Sequence, residues 1–178
     1  KKILILAPGN SLEKYYKQIN SYIQKENPII ISLNFDGMKF KCDYQFFTNA
    51  KRFNFFYKKE NFNHYIITSN IKEVDVFFIL NYIDLISYDE NEEIFDNCTT
   101  IFLTLLKKMD IEEVSIAGFD GFSSNKNDYY DLSIANNLNL LEKRNEDEKL
   151  KNILKREIKG HISLNFLTPS IYKECFNV

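Results

Sequence analysis

Residues 1–34, KKILILAPGNSLEKYYKQINSYIQKENPIIISLN, decide the fold class of this chain. Residues 3–7 (ILILA) form a short apolar run that ends in turn residues, which is typical of a strand buried on both faces of a parallel sheet. Apolar residues recur at helical spacing over residues 12–23, and residues 29–33 (IIISL) predict a second buried strand. This order of strand, helix and strand predicts a Rossmann-like, doubly wound α/β fold, with a mostly parallel sheet and helices on both faces.

The rest of the chain shows the same two patterns: short apolar runs, which predict buried strands, and apolar residues at helical spacing, which predict helices. Apolar runs predict strands at residues 43–47, 65–68, 74–80, 114–117 and 162–166, and helical spacing predicts helices at residues 97–109 and 146–159. Residues 89–93 are acidic and are interpreted as solvated surface, whereas the polar residues 123–131 are typical of a loop or lid. Because no internal repeat or second linker interrupts residues 1–178, we expect one domain. Its first residue is Lys1 rather than methionine, which favours a domain excised from a longer protein.

Composition excludes several classes of protein. A formal net charge of -2 at pH 7 argues against binding of nucleic acid by bulk electrostatic attraction. No apolar run approaches the roughly 18 residues of a membrane span. Cys42, Cys98 and Cys175 are odd in number and lack C-x-x-C spacing, which excludes a zinc ribbon and favours a reducing cytoplasm. Since histidines are few and aspartates scattered, we expect ligand binding without a metal cofactor.

Polar residues follow most of the predicted strands. In an open parallel sheet, ligands bind outside the carboxyl ends of the strands, so we expect these residues to border one cleft. The alternative is that strands simply end in turn residues, of which asparagine is a common one. The residues expected at the cleft are Gly9, Asn34, Asn49, Asn81 and Gly118.

The turn at Gly9, Asn10 and Ser11 is a candidate phosphate site. Glycine permits close approach of the backbone, and a helix N-terminus presents N–H groups without helical partners. Plain helix capping is the alternative, because the turn matches neither G-x-G-x-x-G nor a P-loop. Tyr129 and Tyr130 are candidates for donating to phosphate oxygens, although packing of their loop explains them equally well.

The polar residues at the strand ends do not by themselves identify catalytic residues. His161 is a weak candidate for a catalytic base, along with Tyr129 and Tyr130, because a histidine without a neighbouring nucleophile is usually structural.

Four segments, in this order, resemble motifs of the bacterial family-42 sialyltransferases. The segments are residues 6–12 (LAPGNSL), the strand that ends at Asn34, residues 114–123 (VSIAGFDGFS) with Tyr129 and Tyr130, and residues 167–170 (LTPS). The arrangement is also similar to the motility-associated flagellin glycosyltransferase and archaeal hydroxymethylpterin pyrophosphokinase group. The whole chain resembles a carboxyl-terminal domain that follows an aldolase-type barrel in proteins of bacterial surface-polysaccharide and capsule loci.

The resemblance implies a nucleotide site that needs no metal and accepts a CMP-sugar. The family's catalytic histidine has no counterpart, because His161 lies too close to Thr168 to match it. The resemblance also implies a covalently linked aldolase-type domain as partner. Together with Asn49 from the strand-end pattern, the predicted nucleotide-binding residues are Gly9, Asn10, Ser11, Asn34, Asn49, Gly118, Asp120, Thr168 and Ser170.

We therefore expect a cytoplasmic bacterial domain that binds a nucleotide or nucleotide-sugar in polysaccharide biosynthesis, with no nucleic-acid partner and no membrane span. Three functions fit this expectation. The first is a metal-independent glycosyltransferase, and the second is a non-catalytic accessory module of an aldolase-type enzyme. The third is an ATP-dependent pyrophosphokinase, which would need clustered aspartates for magnesium; Asp120 and Asp131 are the candidate pair.

Overall fold

A computed structural model of the chain describes residues 1–72, 74–122, 128–130 and 138–176. Within these residues, seven strands form one sheet in the order β5-β4-β3-β2-β1-β8-β9, and every neighbouring pair is parallel. β6 and β7 form a separate antiparallel hairpin. The strands are β1 (Ile3–Leu6), β2 (Ile29–Leu33), β3 (Tyr44–Phe47), β4 (Tyr65–Thr68), β5 (Phe78–Leu80), β6 (Ser87–Tyr88), β7 (Ile94–Phe95), β8 (Glu113–Ala117) and β9 (Ser163–Phe166).

Helices cover both faces of the sheet. They are α1 (Ser11–Lys14), α2 (Tyr16–Glu26), α3 (Ala50–Phe56), α4 (Cys98–Lys108) and α5 (Leu140–Ile153), with 3₁₀ turns at Lys59–His64 and Ile171–Cys175 and a π-helical turn at Leu154–Ile158. Alternate residues of β1 point to opposite faces: Leu4 packs with Ile19 of α2, whereas Ile5 packs with Ile101 of α4. The predicted doubly wound α/β class is confirmed.

The strand order reverses beside β1. From β1 to β5 each strand of the sheet is added on one side, and the chain then returns to place β8 on the other side of β1. The loops after β1 and β8 therefore leave the sheet toward opposite faces and open a crevice between them.

Local sequence signals explain the helix starts. The Asn97 side chain accepts hydrogen bonds from the backbone N–H groups of Thr99 and Thr100, at 3.0 and 3.2 Å, so α4 begins one residue after the predicted start. α5 begins at Leu140 rather than at residue 146, because Asn139 and Glu142 form a capping box. That asparagine and glutamate spacing is a start signal visible in the sequence, and our prediction missed it.

One predicted strand is shorter in the structure because of strand pairing, and one predicted surface segment forms a hairpin turn. The strand predicted at residues 74–80 is only Phe78–Leu80, since three residues of β4 supply its partners. Residues 89–93, expected to be solvated surface, connect the two strands of the β6–β7 hairpin; residues 90–93 are exposed as expected, whereas Asp89 is buried. The Asp89 carboxylate organises this turn by accepting from the N–H groups of Asn91 and Glu93, at 2.8 and 3.0 Å. It also pairs with Lys149 of α5.

No helix in the described part of the chain is long and apolar enough to cross a membrane.

Candidate functional site

A cleft of about 220 Å³ lies at the carboxyl edge of the sheet, at the crevice beside β1. The loops that follow β1, β2, β3 and β8 contribute to its lining, as the strand-end pattern predicted. Asn81 is not among the described residues of the lining, because β5 stands at the far edge of the sheet. The predicted residues found in the lining are Gly9, Asn34, Asn49, Gly118 and Asp120.

Gly9 and Gly118 form a close backbone contact between the loops after β1 and β8. The Gly9 N–H donates to the Gly118 carbonyl at 2.9 Å. A Cβ at position 9 would lie 2.4 Å from that carbonyl oxygen and 2.7 Å from the Asp120 carboxylate. Gly9 is therefore required by the close approach of two backbone segments, whether or not a ligand binds.

The Asp120 side chain, from the loop after β8, lies against the N-terminus of α1. Its carboxylate accepts from the Ser11 N–H at 2.8 Å and from the Ser11 hydroxyl. Burial raises the pKa of Asp120, the Ser11 hydrogen bonds lower it, and Asp128 raises it further. The protein's own carboxylate thus takes the N–H group and the hydroxyl of Ser11, which the sequence assigned to a phosphate. This arrangement argues against the expected phosphate site.

Asn34 and Asn49 both stabilise the loop after β3. The buried Asn34 side chain accepts from the N–H groups of Thr48 and Asn49 at 2.9 and 3.4 Å, and donates to the Thr48 hydroxyl at 3.3 Å. Asn34 has a positive φ of 58°, which asparagine tolerates better than most residues. Asn49 caps α3 by accepting from the Arg52 N–H at 3.0 Å. Both asparagines line the cleft. Both also have the structural role that is expected if asparagines at strand ends are simply turn residues.

Three other predicted residues lie behind the cleft or beside it. Thr168 is buried, and its hydroxyl accepts from the Gly118 N–H at 3.0 Å. The Ser170 hydroxyl accepts from the Tyr172 N–H at 3.2 Å, and Asn10 is exposed. None of these three, nor Ser11, belongs to the lining formed by the described residues.

Residues 128–130 cross the loop after β1. Tyr129 forms an isolated antiparallel bridge with Gly9, and the Tyr130 N–H donates to the Pro8 carbonyl at 3.1 Å. Tyr129 lines the cleft, whereas the Tyr130 ring packs on Phe35 at 5.3 Å between centroids. Of the loop or lid predicted at residues 123–131, residues 123–127 and 131 lie outside the described residues, and Asp131 is one of them.

His161 lies away from the cleft. It precedes β9, which begins at Ser163, so it stands at the amino edge of a sheet whose strands are all parallel. The cleft is at the carboxyl edge, and the histidine cannot reach a ligand there. As a candidate base for this site, His161 is therefore set aside.

The structure adds lining residues that the strand-end pattern did not select. Arg52, Asp96, Cys98 and Glu146 all line the cleft. Burial raises the pKa of the Cys98 thiol to about 12, so it is protonated at neutral pH and is a poor nucleophile. Desolvation raises the pKa of Asp96, while a hydrogen bond from Tyr82 lowers it. Desolvation also raises the pKa of Glu146.

Only part of this set was visible in the sequence. Arg52 lies five positions after the end of β3, so a wider search around the predicted strand ends would have found it. Asp96 and Cys98 follow β7, a hairpin strand that the sequence pattern did not predict. Glu146 had no such signal.

Asp147 and Tyr172 support one wall of the cleft. The buried Asp147 carboxylate accepts from the Tyr172 hydroxyl at 2.5 Å and from the Phe122 N–H at 3.2 Å. Burial raises the pKa of Asp147, and hydrogen bonds from Tyr172 and Phe122 lower it. The Tyr172 ring stacks on Phe119 with centroids 4.4 Å apart and faces the cleft.

The lining carries more negative than positive charge. Its described ionisable carboxylates belong to Asp96, Asp120, Asp128 and Glu146, and Arg52 is its one basic side chain among the described residues. Asp128 forms a buried ion pair with Lys143. Among the described residues, no three His, Cys, Asp or Glu side chains converge in a way that could hold a metal ion.

No protein-family model matches the chain, and comparisons with curated proteins and with solved structures found no match either.

Proposed function

We propose that this domain binds a nucleotide or nucleotide-sugar in the cleft at the carboxyl edge of the sheet. The position of the cleft carries the proposal: it lies where the strand order reverses beside β1, which is where open α/β sheets bind their ligands. The sequence motifs that resemble those of nucleotide-sugar transferases contribute Gly9, Asn34, Gly118 and Asp120 to the same cleft.

The size of the cleft limits what it can enclose. Its volume of about 220 Å³ is below the roughly 300 Å³ at the lower end of pockets for drug-sized ligands. We therefore expect the nucleoside part to fill the cleft and the remainder of the ligand to extend along its open side.

A calorimetric titration with cytidine, CMP, a CMP-sugar, a UDP-sugar and ADP tests binding. Glu146→Phe places a bulky ring in the cleft, whereas Glu148→Phe alters the same helix at an exposed position outside the described lining. We expect a ligand of this panel to bind, with at least about tenfold weaker affinity in Glu146→Phe and unchanged affinity in Glu148→Phe. Absence of binding by every ligand, or equal affinity in both variants, would refute the proposal.

Glycosyl transfer is a second candidate activity at the same cleft. A transferase needs a base for the acceptor hydroxyl, and the carboxylates of Asp96 and Glu146 line the cleft with raised pKa values. Release of CMP from a CMP-sugar tests for this chemistry, and its loss in Asp96→Asn or Glu146→Gln would identify the base. Binding without release favours an accessory module, whereas adenine-nucleotide binding that needs magnesium favours a pyrophosphokinase.

A further inference from the structure

We propose that the edge of the sheet at β5 is the interface of a two-fold dimer of this chain. The edge segment consists of Phe77, Phe78 and Ile79, of which Phe77 directly precedes β5. Two copies of β5 pair antiparallel across this edge and join the two sheets into one. The inference goes beyond the proposed function, because the edge segment does not belong to the described lining of the cleft.

The edge segment exposes three consecutive apolar side chains. Phe77 is 69% exposed, Phe78 39% and Ile79 54%. Since a large side chain of this kind has about 150–250 Å² of surface, the segment exposes on the order of 300 Å² of apolar surface. Single apolar residues are common on protein surfaces, but a contiguous patch of this size is often a contact site.

The backbone of β5 is also open to pairing. Among the described residues, β5 has a neighbouring strand, β4, on one side only, and the described residues between these two strands form no helix. The Leu80 carbonyl accepts from the Ser69 N–H at 2.8 Å, so it points toward β4. Because the hydrogen-bonding groups of successive strand residues point to opposite sides, those of Ile79 point to the free edge.

The opposite edge of the sheet has a different character. β9 exposes Ser163 and Asn165, whereas its Leu164 is buried, and the Asn165 amide donates to the Ser115 hydroxyl at 3.1 Å. Natural edge strands are commonly protected from pairing by charged side chains or proline. Residues 76–83 contain neither, so side-chain chemistry does not protect β5 from pairing.

A second copy of the chain fits this edge because the edge segment is complementary to itself. With the two-fold axis at Phe78, antiparallel pairing places the two Phe78 side chains opposite each other on one face. On the other face, Phe77 of each copy lies beside Ile79 of the other. This register makes Phe78 a non-hydrogen-bonded pair, in agreement with its backbone groups, which point toward β4 like those of Leu80. All three exposed side chains thus gain an apolar partner.

The area and length of the edge segment predict a weak dimer. A standard interface buries about 800 Å² on each partner, with an apolar core and a polar rim. The edge segment supplies on the order of 300 Å² of this core, and β5 is only three residues long. The exposed Asp75 lies toward the second copy's Asn81 at the rim, rather than toward another carboxylate. We expect a dissociation constant of about 10–100 µM.

Sedimentation equilibrium from about 1 to 500 µM chain tests the dimer. Phe77→Lys places a charge in the edge segment. Met109→Lys is the control, because Met109 is 58% exposed and stands before β8, on the other side of β1 from β5. We expect the wild-type mass to rise to twice that of one chain, with association at least about tenfold weaker in Phe77→Lys and unchanged in Met109→Lys. Circular dichroism and thermal unfolding show whether each variant is folded.

Oxidation of Phe78→Cys with diamide tests the register. Non-hydrogen-bonded partners in antiparallel strands have Cα atoms about 4.5 Å apart, which a disulfide can span. We expect Phe78→Cys to form more disulfide-linked dimer than Met109→Cys or the wild-type chain, which controls for the three native cysteines.

Four results would each overturn the inference. They are a wild-type chain that stays monomeric, equal association in the two lysine variants, growth beyond a dimer, and cross-linking of Phe78→Cys no greater than that of Met109→Cys. A heterologous contact would give growth beyond a dimer, because only a two-fold contact closes at two copies. None of these results bears on the proposed function, which ligand binding tests separately.

Discussion

Replacing Gly9 by alanine tests why a glycine stands in the first loop. The new Cβ would overlap the Gly118 carbonyl oxygen at 2.4 Å and the Asp120 carboxylate at 2.7 Å, so the two loops must separate. Separation weakens the Gly9–Gly118 hydrogen bond, worth about 1 kcal/mol, and the charged bonds between Asp120 and Ser11, worth about 1.5–3 kcal/mol. We expect a loss of about 3 kcal/mol in the free energy of unfolding. For a chain of this length that lowers Tm by about 6–12 °C.

Urea unfolding measured by circular dichroism is the assay, since the chain contains no tryptophan. Gly160→Ala is the control, because Gly160 has a positive φ of 86° but no described atom lies within 4 Å of the place that an alanine methyl group would take there. Its cost of about 1–2 kcal/mol comes from backbone strain alone. A loss in Gly9→Ala that is smaller than the loss in Gly160→Ala would refute the packing argument and restore a purely ligand-related role for Gly9.

Three further predictions concern side chains around the cleft. Asn34→Ala should lower the free energy of unfolding by about 3 kcal/mol, because the Thr48 N–H loses its partner and alanine disfavours a positive φ. Lys143→Met should cost about 3 kcal/mol or more by removing the ion-pair partner of the buried Asp128 carboxylate, and adding Asp128→Asn should recover part of this loss. Asp147→Asn should flatten the pH dependence of stability. The folded-state pKa of this carboxyl is raised above the ordinary 3.8, so its contribution to stability falls as pH rises from about 4 through the raised pKa.

Each of these three predictions has an outcome that contradicts it. Chemical unfolding of Asn34→Gly separates the strain from the lost hydrogen bonds, and a fully stable glycine variant would show that the bonds contribute nothing. Additive losses in the double variant of Lys143 and Asp128 would show that the pair does not interact. For Asp147, Tm measured from pH 4 to pH 7 should fall less steeply in the variant than in wild type, and parallel profiles would exclude this carboxyl as a source of the slope.

The first 34 residues determined the fold class, because a parallel strand buried on both faces must be apolar along its whole length. Residues 3–7 and 29–33 satisfy this requirement around an amphipathic helix. The rule that ligands bind at the carboxyl ends of such strands then located the cleft, and Gly9, Asn34, Asn49 and Gly118 lie in its lining. Sequence periodicity could not predict the ion pair between Asp89 of the β6–β7 hairpin and Lys149, since Lys149 belongs to α5, more than fifty residues away.

The sequence did not determine which charged side chains meet at the cleft; only the tertiary structure decided this. Ser11 and Asp120 are separated by 109 positions, yet their hydrogen bonds fill the turn that local sequence assigns to a phosphate. Arg52 and Glu146 belong to different helices on opposite faces of the sheet, and the strand order brings both to one cleft. Electrostatic effects depend on distances in space, and distances between residues so far apart in the chain are fixed only when the sheet has formed.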